Sequence, residues 1–252
     1  MRAVILTAGL GARLREVTGD RPKCLAQVGG MTLLERQLSA LRSCGVTNIA
    51  VVTGYQAMDV RRLCGPTIDY VHNPIFADTN SLYSLWLARE LLGEGFLVMN
   101  CDVLFHPQLL SDLVTSRYED ALLMSPACDE ASYSEEEMKI RVRCGRVVDI
   151  SKDIAAEDAD GENVGIAKFG TEGAAVLVDE MNQIVRDGEL RAWLPEAFRR
   201  FSLRRTLHAV DPRGFPWIEI DSPQDYWRAC THVAPALDAP GRPDRRRSIR
   251  HV

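Results

Sequence analysis

A glycine-rich turn with cations after it is the first stretch of the chain whose residues could do chemistry. Gly9 and Gly11 come directly after the apolar run "RAVILT", and Arg13 and the segment Arg21-Pro22-Lys23 follow. Backbone N–H groups in such a turn converge on anions, and Arg and Lys add charge-assisted hydrogen bonds to phosphate oxygens. Ordinary tight turns also use glycine, but the combination with Arg and Lys favours a phosphate site.

The turn differs from two familiar phosphate-binding patterns. Leu14 stands where the dinucleotide fingerprint GxGxxG has its third glycine, and no Gly-Lys-Ser/Thr follows as in a P-loop. The residues therefore indicate a site for nucleotide phosphates that belongs to neither pattern.

The elements that must position these residues alternate between strands and amphipathic helices in the first half. Thr32 and Glu35 form a capping box before a helix that ends at Gly45. A second helix, "SLYSLWLARELL", begins at Asn80 or Ser81, and the predicted strands are "AVILTA", "NIAVVTG", "TIDYVHN" and "GFLVMNCD". This alternation predicts a three-layer, Rossmann-like α/β fold with a mostly parallel sheet.

The second half has a different pattern. "MKIRVRCGRVVDIS" alternates with period two around Cys144-Gly145 and predicts an antiparallel hairpin. "VGIAKF" predicts a strand, residues 171–187 a helix, and "PWIEIDSPQDYWRA" a strand and then a helix capped by Ser222 with Pro223 at its first position. We expect one domain, residues 1–235, in which residues 125–168 and 203–218 form a small antiparallel extension.

Charge and composition limit the classes of function. The net charge is −5, and the tail from Pro240 holds five arginines and one aspartate, +4, so the rest of the chain carries −9. We expect residues 236–252 to be a basic, disordered tail, and the acidic body argues against nucleic-acid binding. No stretch of the sequence reaches the apolar length of a membrane span, and we expect no signal peptide, because "MRAVILTAG" runs directly into a predicted strand. Seven scattered cysteines favour reduced thiols and a cytoplasmic location.

The motifs resemble a known family over residues 3 to about 230. "LTAGLGARL" with "RPKCL" resembles the N-terminal signature of nucleotidyltransferases with a GT-A-like fold. "TNSLYSLWLA", "MNCDVLF", "ISKD", "VGIAKF" and "PWIEIDSPQDY" resemble the phosphocholine and phosphonate cytidylyltransferase branch more narrowly. Glu16, where many relatives have proline, and Cys24 depart from the family pattern.

The resemblance implies a reaction. Such enzymes transfer CMP from CTP, with Mg²⁺, to a small phosphate- or phosphonate-bearing acceptor and release pyrophosphate. A phosphate acceptor is already largely ionised at neutral pH, because its second pKa is about 6. The protein must therefore position two anions and neutralise the charge on the reacting phosphoryl group, and no general base is required.

The resemblance also implies roles for individual residues. Asp102 and Asp221 would be the metal ligands, and both follow predicted strands, where open α/β sheets bind ligands. Read alone, each could simply begin a loop or flank a helix. Lys23 and Arg13 would be catalytic. The nucleotide-binding candidates are Leu6, Ala8, Gly9, Gly11, Asn80, Ser81 and Ser84, of which the last three could also be plain helix-capping residues. The acceptor-binding candidates are Lys152, Arg141, Tyr133 and Glu219.

The identity of the acceptor stays open at this point. A choline group would need an aromatic cage, for which Tyr83, Trp86, Tyr133 and Trp217 are available, although Trp86 has core spacing. An aminoalkyl phosphonate would need a carboxylate such as Asp129 or Glu137, and a carboxyphosphonate would need a cation such as Arg141.

Three other functions are weighed against this one. A nucleotidyltransferase acting on sugar or polyol phosphates with CTP, dTTP or UTP is the nearest. A non-catalytic nucleotide-sensing domain is disfavoured because Lys23, Asp102 and Asp221 are all present. A Rossmann oxidoreductase is disfavoured by the absent third glycine. We expect no nucleic-acid or membrane partner, and a monomer or a homodimer.

Overall fold

The computed structural model describes residues 1–127, 133 and 137–238. Its strands, in chain order, are β1 (Arg2–Leu6), β2 (Gln27–Val28), β3 (Met31–Thr32), β4 (Ile49–Thr53), β5 (Asp69–His72), β6 (Phe96–Asn100), β7 (Val103–Phe105), β8 (Ala121–Pro126), β9 (Lys139–Arg143), β10 (Arg146–Ser151), β11 (Gly161–Phe169), β12 (His208–Val210) and β13 (Trp217–Glu219).

Helices connect most of these strands. The α-helices are α1 (Arg15–Thr18), α2 (Leu33–Ser43), α3 (Ala57–Cys64), α4 (Ser81–Leu87), α5 (Pro107–Thr115), α6 (Thr171–Arg186), α7 (Leu194–Arg204), α8 (Pro223–Arg228) and α9 (Ala234–Asp238). Short 3₁₀ segments and one π-helical turn, Ala229–Val233, complete them. Of the helices in the described ranges, none is long and apolar enough to cross a lipid bilayer.

The main sheet of the described chain has the strand order β5-β4-β1-β6-β11-β8-β12-β10-β9. The pairs β5–β4, β4–β1, β1–β6 and β8–β12 are parallel, whereas β11 and β10 run against their neighbours. The predicted Rossmann-like α/β fold is therefore confirmed, but the sheet is mixed and not mostly parallel, since four of its pairings are parallel and five, including β11–β9, are antiparallel. The antiparallel hairpin β9–β10 is not a separate layer, because it continues the same sheet at its edge.

The sheet is buried on both faces, which makes the fold three-layered. Alternate residues of β1 point to opposite faces, as a strand requires: Val4 and Leu6 pack in the apolar cluster with α4, α6 and α7. Ala3 and Ile5 pack in the cluster with α2, α3 and α5. A third apolar cluster joins the two-stranded ladder of β7 and β13 to the C-terminal helices.

The local predictions hold with one difference. The capping box of Thr32 and Glu35 and the Ser222 cap of α8 are both present. The helix predicted from "SLYSLWLARELL" is wrong in its second half, since α4 ends at Leu87 and residues 89–91 form a tighter 3₁₀ turn. Arg89 turns back there, donates to the carbonyl of Trp86 and lies over its ring.

The proposed domain limits remain a prediction. Helix α9 crosses the expected boundary at residue 235, and Arg36 forms an ion pair with Asp238 at its end. Residues 239–252 of the predicted tail, and residues 128–132 and 134–136 of the predicted extension, lie outside the described residues.

Candidate active site

The glycine turn folds closely against the lysine that follows it. Gly11 has a φ of 59° and begins a 3₁₀ turn over residues 12–14. A Cβ atom on Gly11 would lie 2.8 Å from the Cβ atom of Lys23, so both the backbone angle and the close approach require glycine. The turn that is predicted to bind phosphate is thus in contact with the stem of Lys23.

The loop between β4 and α3 holds this region from the other side. The backbone N–H of Tyr55 donates to the carbonyl of Ala8 at 3.0 Å. The Tyr55 hydroxyl and the Gln56 side-chain amide both donate to the carbonyl of Asp20, at 3.0 Å and 2.5 Å. These bonds fix the chain on both sides of the turn, just before Lys23.

Asp102 and Asp221 meet because of the register between two short strands. Val103 in β7 pairs with Glu219 in β13, and the N–H of Ile220 donates to the carbonyl of Asp102 at 3.0 Å. The two aspartates, 119 positions apart in the chain, therefore leave this ladder side by side. Their meeting depends on long-range pairing that neither local motif contains.

A buried glutamine fixes the turn that carries Asp102. The side-chain amide of Gln37, in α2, donates to the carbonyls of Asn100 and Val103 at 2.9 and 3.0 Å. Gln37 has only 1% of its surface exposed. A polar residue at a helix position that faces the core was the signal that sequence reasoning missed.

The ammonium group of Lys23 lies between the two aspartates. Its Nζ atom is 2.9 Å from Oδ2 of Asp102 and also donates to Oδ1 of Asp221. Arg13 adds a longer contact, 3.3 Å from its Nη2 atom to Oδ2 of Asp221. Burial disfavours the charged form of Lys23, but the two carboxylates outweigh it and raise the pKa of Lys23.

The pKa values of Asp221 and Glu219 shift in opposite directions. Burial opposes ionisation of Asp221, but the charge of Lys23 and then that of Arg13 lower its pKa. Burial, followed by the negative charges of Asp102 and Asp221, raises the pKa of Glu219 well above its usual range. Glu219 is therefore the member of this acidic group that most readily holds a proton.

The same acidic group fits a divalent cation. One oxygen from each of Asp102, Glu219 and Asp221 lies within 4.8 Å of the others, the one such set among the described residues. The Oδ1 atom of Asp102 is buried and makes no hydrogen bond. Carboxylate oxygens with spare acceptor capacity are ligands that Mg²⁺ prefers. Glu219, predicted as an acceptor contact, is thus placed with the two predicted metal ligands.

These residues form one wall of a cleft with a volume of about 360 Å³, within the range of small-ligand sites. Most of the sequence-predicted candidates line it. They are Leu6, Ala8, Gly9, Gly11, Arg13, Lys23, Asn80, Ser81, Ser84, Asp102, Lys152, Glu219 and Asp221.

The three polar residues at the start of α4 also have structural contacts. The Asn80 side chain accepts from the N–H of Ser81, and Ser81 Oγ accepts from the N–H of Leu194, both at 2.9 Å. Ser84 is buried and accepts from the side chain of Asn73. A nucleotide-binding role for these residues therefore stays a prediction.

The candidate acceptor contacts divide into two groups. Lys152 lines the cleft, with its ammonium group 4.9 Å from the ring centre of Trp193. Arg141 and Tyr133 do not line it in the described part of the chain. Arg141 lies on the exposed side of β9, because its neighbour Ile140 takes the buried side. Their roles, like that of Lys152, remain untested predictions.

The other residues considered for the acceptor are dispersed. Trp86 stacks on Tyr83, donates to Asn182 at 2.8 Å and packs against the core, as its spacing predicted. Trp217 lies in β13, where it pairs with Phe105. Glu137 is half-buried and does not line the cleft, and Asp129 lies outside the described residues.

Sequence reasoning missed several residues that line the cleft. Asn100 and Asn163 both line the cleft near a bulge in β11, where Gly165 has a φ of 81° and a Cβ atom there would clash with Asn100. That glycine in a strand pattern was an available signal. Phe76 and Trp193 lie in connections, and no periodic pattern distinguished them.

Several known proteins with similar sequences are cytidylyltransferases by name. The chain is 31% identical to the CMP-5'-(3-aminopropyl)phosphonate synthase of Streptomyces rubellomurinus, over 93% of this chain and 39% of that protein. It is 36% identical to the choline-phosphate cytidylyltransferase of Streptococcus pneumoniae, over 47% of this chain and 52% of that one. It is 31% identical to the bifunctional IPC transferase and DIPP synthase of Rubrobacter xylanophilus, over 88% and 50%. The chain thus spans about half or less of these relatives.

A solved structure extends the likeness to three dimensions. The CTP:phosphocholine cytidylyltransferase of Streptococcus pneumoniae matches with a TM-score of 0.73 and 25% identity. The match covers 90% of this chain and 96% of that one.

A family model gives the assignment. The model of the MobA-like NTP transferase domain matches residues 3–197, which is most of the chain and includes the glycine turn, Lys23 and Asp102. The chain belongs to the family of MobA-like NTP transferase domains.

Proposed function

We propose that this protein is a cytidylyltransferase that transfers CMP from CTP to a small phosphate- or phosphonate-bearing acceptor and releases pyrophosphate. The observation that carries the proposal is the position of Lys23, between two strand-end aspartates and against the glycine turn, in one cleft. The reaction needs a phosphate cradle, a mobile cation and a carboxylate group close together.

The glycine turn, Arg13 and Lys23 make up the nucleotide end of the cleft. The backbone of Gly9 and Gly11 approaches the phosphates, and Arg13, about half exposed, closes over them from the rim. Lys23 neutralises charge on the α-phosphoryl group and on the departing pyrophosphate. Leu6 and Ala8 flank the turn, and Asn80, Ser81 and Ser84 face the nucleoside from the start of α4.

Asp102 and Asp221 would hold Mg²⁺, with Glu219 in reach as a third carboxylate. When bound, the ion supplies charge stabilisation at the reacting phosphoryl oxygens. The protein's own contribution is to hold the carboxylates rigidly through the β7–β13 ladder and the bridging amide of Gln37. Rigid placement lowers the cost of organising the site during the reaction.

Lys152 is the residue of the chain best placed for the acceptor's anionic group. It lines the cleft close enough to lower the pKa of Asp221, so an anion bound to it lies beside the metal-binding carboxylates. An ionised phosphate or phosphonate oxygen then attacks without a protein base. The names of the relatives favour phosphonate and phosphocholine acceptors, with a polyol phosphate as the alternative.

The test is pyrophosphate release with Mg²⁺ and each of CTP, UTP, ATP, GTP and dTTP. Each nucleotide is offered with phosphocholine, aminoethylphosphonate, phosphonoformate, inositol phosphate and sugar 1-phosphates. The proposal predicts release with CTP and one acceptor class. Release with dTTP or UTP and a sugar phosphate would favour the alternative function instead, and CTP binding without release would favour a sensing domain.

A further inference from the structure

The ammonium group of Lys23 is the main counter-ion of the acidic group. It contacts both Asp102 and Asp221, and only 11% of its side chain is exposed. Arg13 contacts Asp221 at the longer distance of 3.3 Å, and 56% of its side chain is exposed. The charge of Lys23 therefore compensates the two carboxylates far more than that of Arg13 does.

This arrangement gives one ammonium group two incompatible tasks. Between the aspartates, Lys23 occupies one oxygen of each carboxylate, Oδ2 of Asp102 and Oδ1 of Asp221, and places its positive charge where a divalent cation would bind. Two cations that share the same pair of carboxylates repel each other. In the proposed reaction, however, the same ammonium group must face the phosphates.

We propose that Lys23 competes with the divalent cation for Asp102 and Asp221, so that the nucleotide-free protein binds the cation weakly. The nucleotide's phosphates draw the ammonium group away and open the carboxylates, so that metal and nucleotide load together. This inference rests on the proposed metal site and adds that tight binding of the cation depends on bound nucleotide.

The structure contains a short path for this exchange. The stem of Lys23 packs directly against Gly11, in the turn proposed to bind the phosphates. Lysine has a flexible four-carbon stem and a point charge with rotatable donors. The ammonium group can therefore move from the carboxylates to the phosphates while the backbone held by Tyr55 and Gln56 stays in place.

The experiment measures Mn²⁺ binding by electron paramagnetic resonance in the absence of nucleotide. The variants are Lys23→Met, which removes the charge, Lys23→Arg, which keeps it, and Arg13→Met as a matched control. We expect Lys23→Met to bind Mn²⁺ about tenfold more tightly than the unmodified protein, a factor that corresponds to about 1.4 kcal/mol. Lys23→Arg should bind as weakly as the unmodified protein, and Arg13→Met should change the affinity by less than about threefold.

Two further measurements keep the result interpretable. Lys23→Met leaves carboxylates uncompensated, so its melting temperature should fall, and Mn²⁺ should restore it more than it raises that of the unmodified protein. If Lys23→Met does not fold, Lys23→Gln, which retains a hydrogen-bond donor, takes its place. Adding Asp102→Asn to the variant should remove the gained binding and thereby locate the ion.

Equal or weaker Mn²⁺ binding by the charge-removing variant would overturn the inference. No nucleotide or acceptor is present in this test, so such a result would leave CMP transfer standing. Conversely, if the pyrophosphate assay failed but Lys23→Met gained Mn²⁺ affinity, CMP transfer would be contradicted and the competition at the carboxylates would stand.

Discussion

Asp102 and Asp221 differ in their contacts although Lys23 binds both. Asp221 has one oxygen on Lys23 and the other 3.3 Å from Arg13. Asp102 has one oxygen on Lys23 and a second that is buried without a hydrogen bond. The charge of Asp221 is thus compensated on both oxygens, whereas Asp102 keeps an acceptor free for another cation.

Asp102→Asn and Asp221→Asn should each reduce turnover by about 100-fold or more, since losing one electrostatic stabiliser of a transition state costs roughly that much. The fold should persist, because the backbone bonds of the β7–β13 ladder are unchanged. The measurement is the initial rate of pyrophosphate release at limiting Mg²⁺, with circular dichroism as the check on folding.

Asp59→Asn is the matched control, because Asp59 forms an exposed ion pair with Arg62 on α3 and does not line the cleft. This variant should keep its rate. Near-normal rates at limiting Mg²⁺ in both cleft variants would contradict the assignment of the metal ligands.

The sequence predicted the polar residues of the site better than its apolar ones. Lys23, Asp102 and Asp221 stood out because they lie in motifs that resemble a nucleotidyltransferase family, and because both aspartates follow predicted strands. Trp193 and Phe76 line the same cleft from connections, where apolar residues follow no period. Gln37 was missed because its role depends on the carbonyls of a turn 63 residues further along the chain.

At the scale of elements, the N-terminus of α2 is bonded to the segment that follows Lys23, since the N–H of Leu33 donates to the carbonyl of Ala26 at 3.0 Å. Thr32 Oγ accepts from the N–H of Glu35, and the Glu35 carboxylate accepts from the N–H of Thr32. These bonds to Thr32 lower the pKa of Glu35.

Thr32→Ala should lower the free energy of unfolding by about 1 kcal/mol near neutral pH, because one orphan N–H of the helix loses its acceptor. A carboxyl whose folded pKa is lowered stabilises the fold above its ordinary pKa of 4.5 and loses that effect as pH falls through the folded value. The difference in free energy of unfolding between Thr32→Ala and the unmodified protein should therefore narrow below about pH 4.5. Urea unfolding at a series of pH values measures it, and a constant difference would contradict this account.

The N-terminus of α6 is held by the carboxylate of Asp120. Asp120, which precedes β8, accepts from the N–H of Gly170 at 3.0 Å and from Arg205 at 2.5 Å. It is almost fully buried. An anion at a helix N-terminus is favourable, and the Arg205 partner makes its burial tolerable.

Gly173→Ala should destabilise the protein by about 1–3 kcal/mol, the usual cost of overpacking. A Cβ atom at Gly173 would lie 1.8 Å from Oδ1 of Asp120, so the carboxylate would have to move from Gly170 and Arg205. By helix propensity alone the change should stabilise α6. Gly93→Ala is the control, since nothing lies within 4 Å of its Cβ position. A melting temperature of Gly173→Ala equal to or above that of the unmodified protein would refute the contact.

At the scale of the whole molecule, the sheet joins a parallel half to a half with mixed pairing at β11. Strand β11 lies between β6 and β8 and runs against both. The parallel half supplies the glycine turn after β1 and Asp102 after β6. Met138 and Lys152, which flank the hairpin β9–β10, reach the same cleft from the other half. The proposed nucleotide and acceptor ends of the cleft therefore belong to different parts of one sheet.

The alternation of strands and helices was sufficient to predict the parallel half and both apolar faces. The other half could not be predicted in the same way. Strand β12 pairs with β8 and β10, far away in the chain, and its three residues carry no alternation strong enough to indicate partners. Such pairings are decided by tertiary packing and not by local pattern.

The most direct test of the account is the identity of the product formed from CTP, Mg²⁺ and the preferred acceptor. Phosphorus NMR and mass spectrometry of the reaction mixture would determine it. We expect a CMP unit joined through a phosphoanhydride linkage to the acceptor, with one pyrophosphate per product, and formation of both about 100-fold slower or more with Asp102→Asn. A mixture of free CMP and pyrophosphate, or no turnover of CTP with any phosphate- or phosphonate-bearing acceptor, would contradict it.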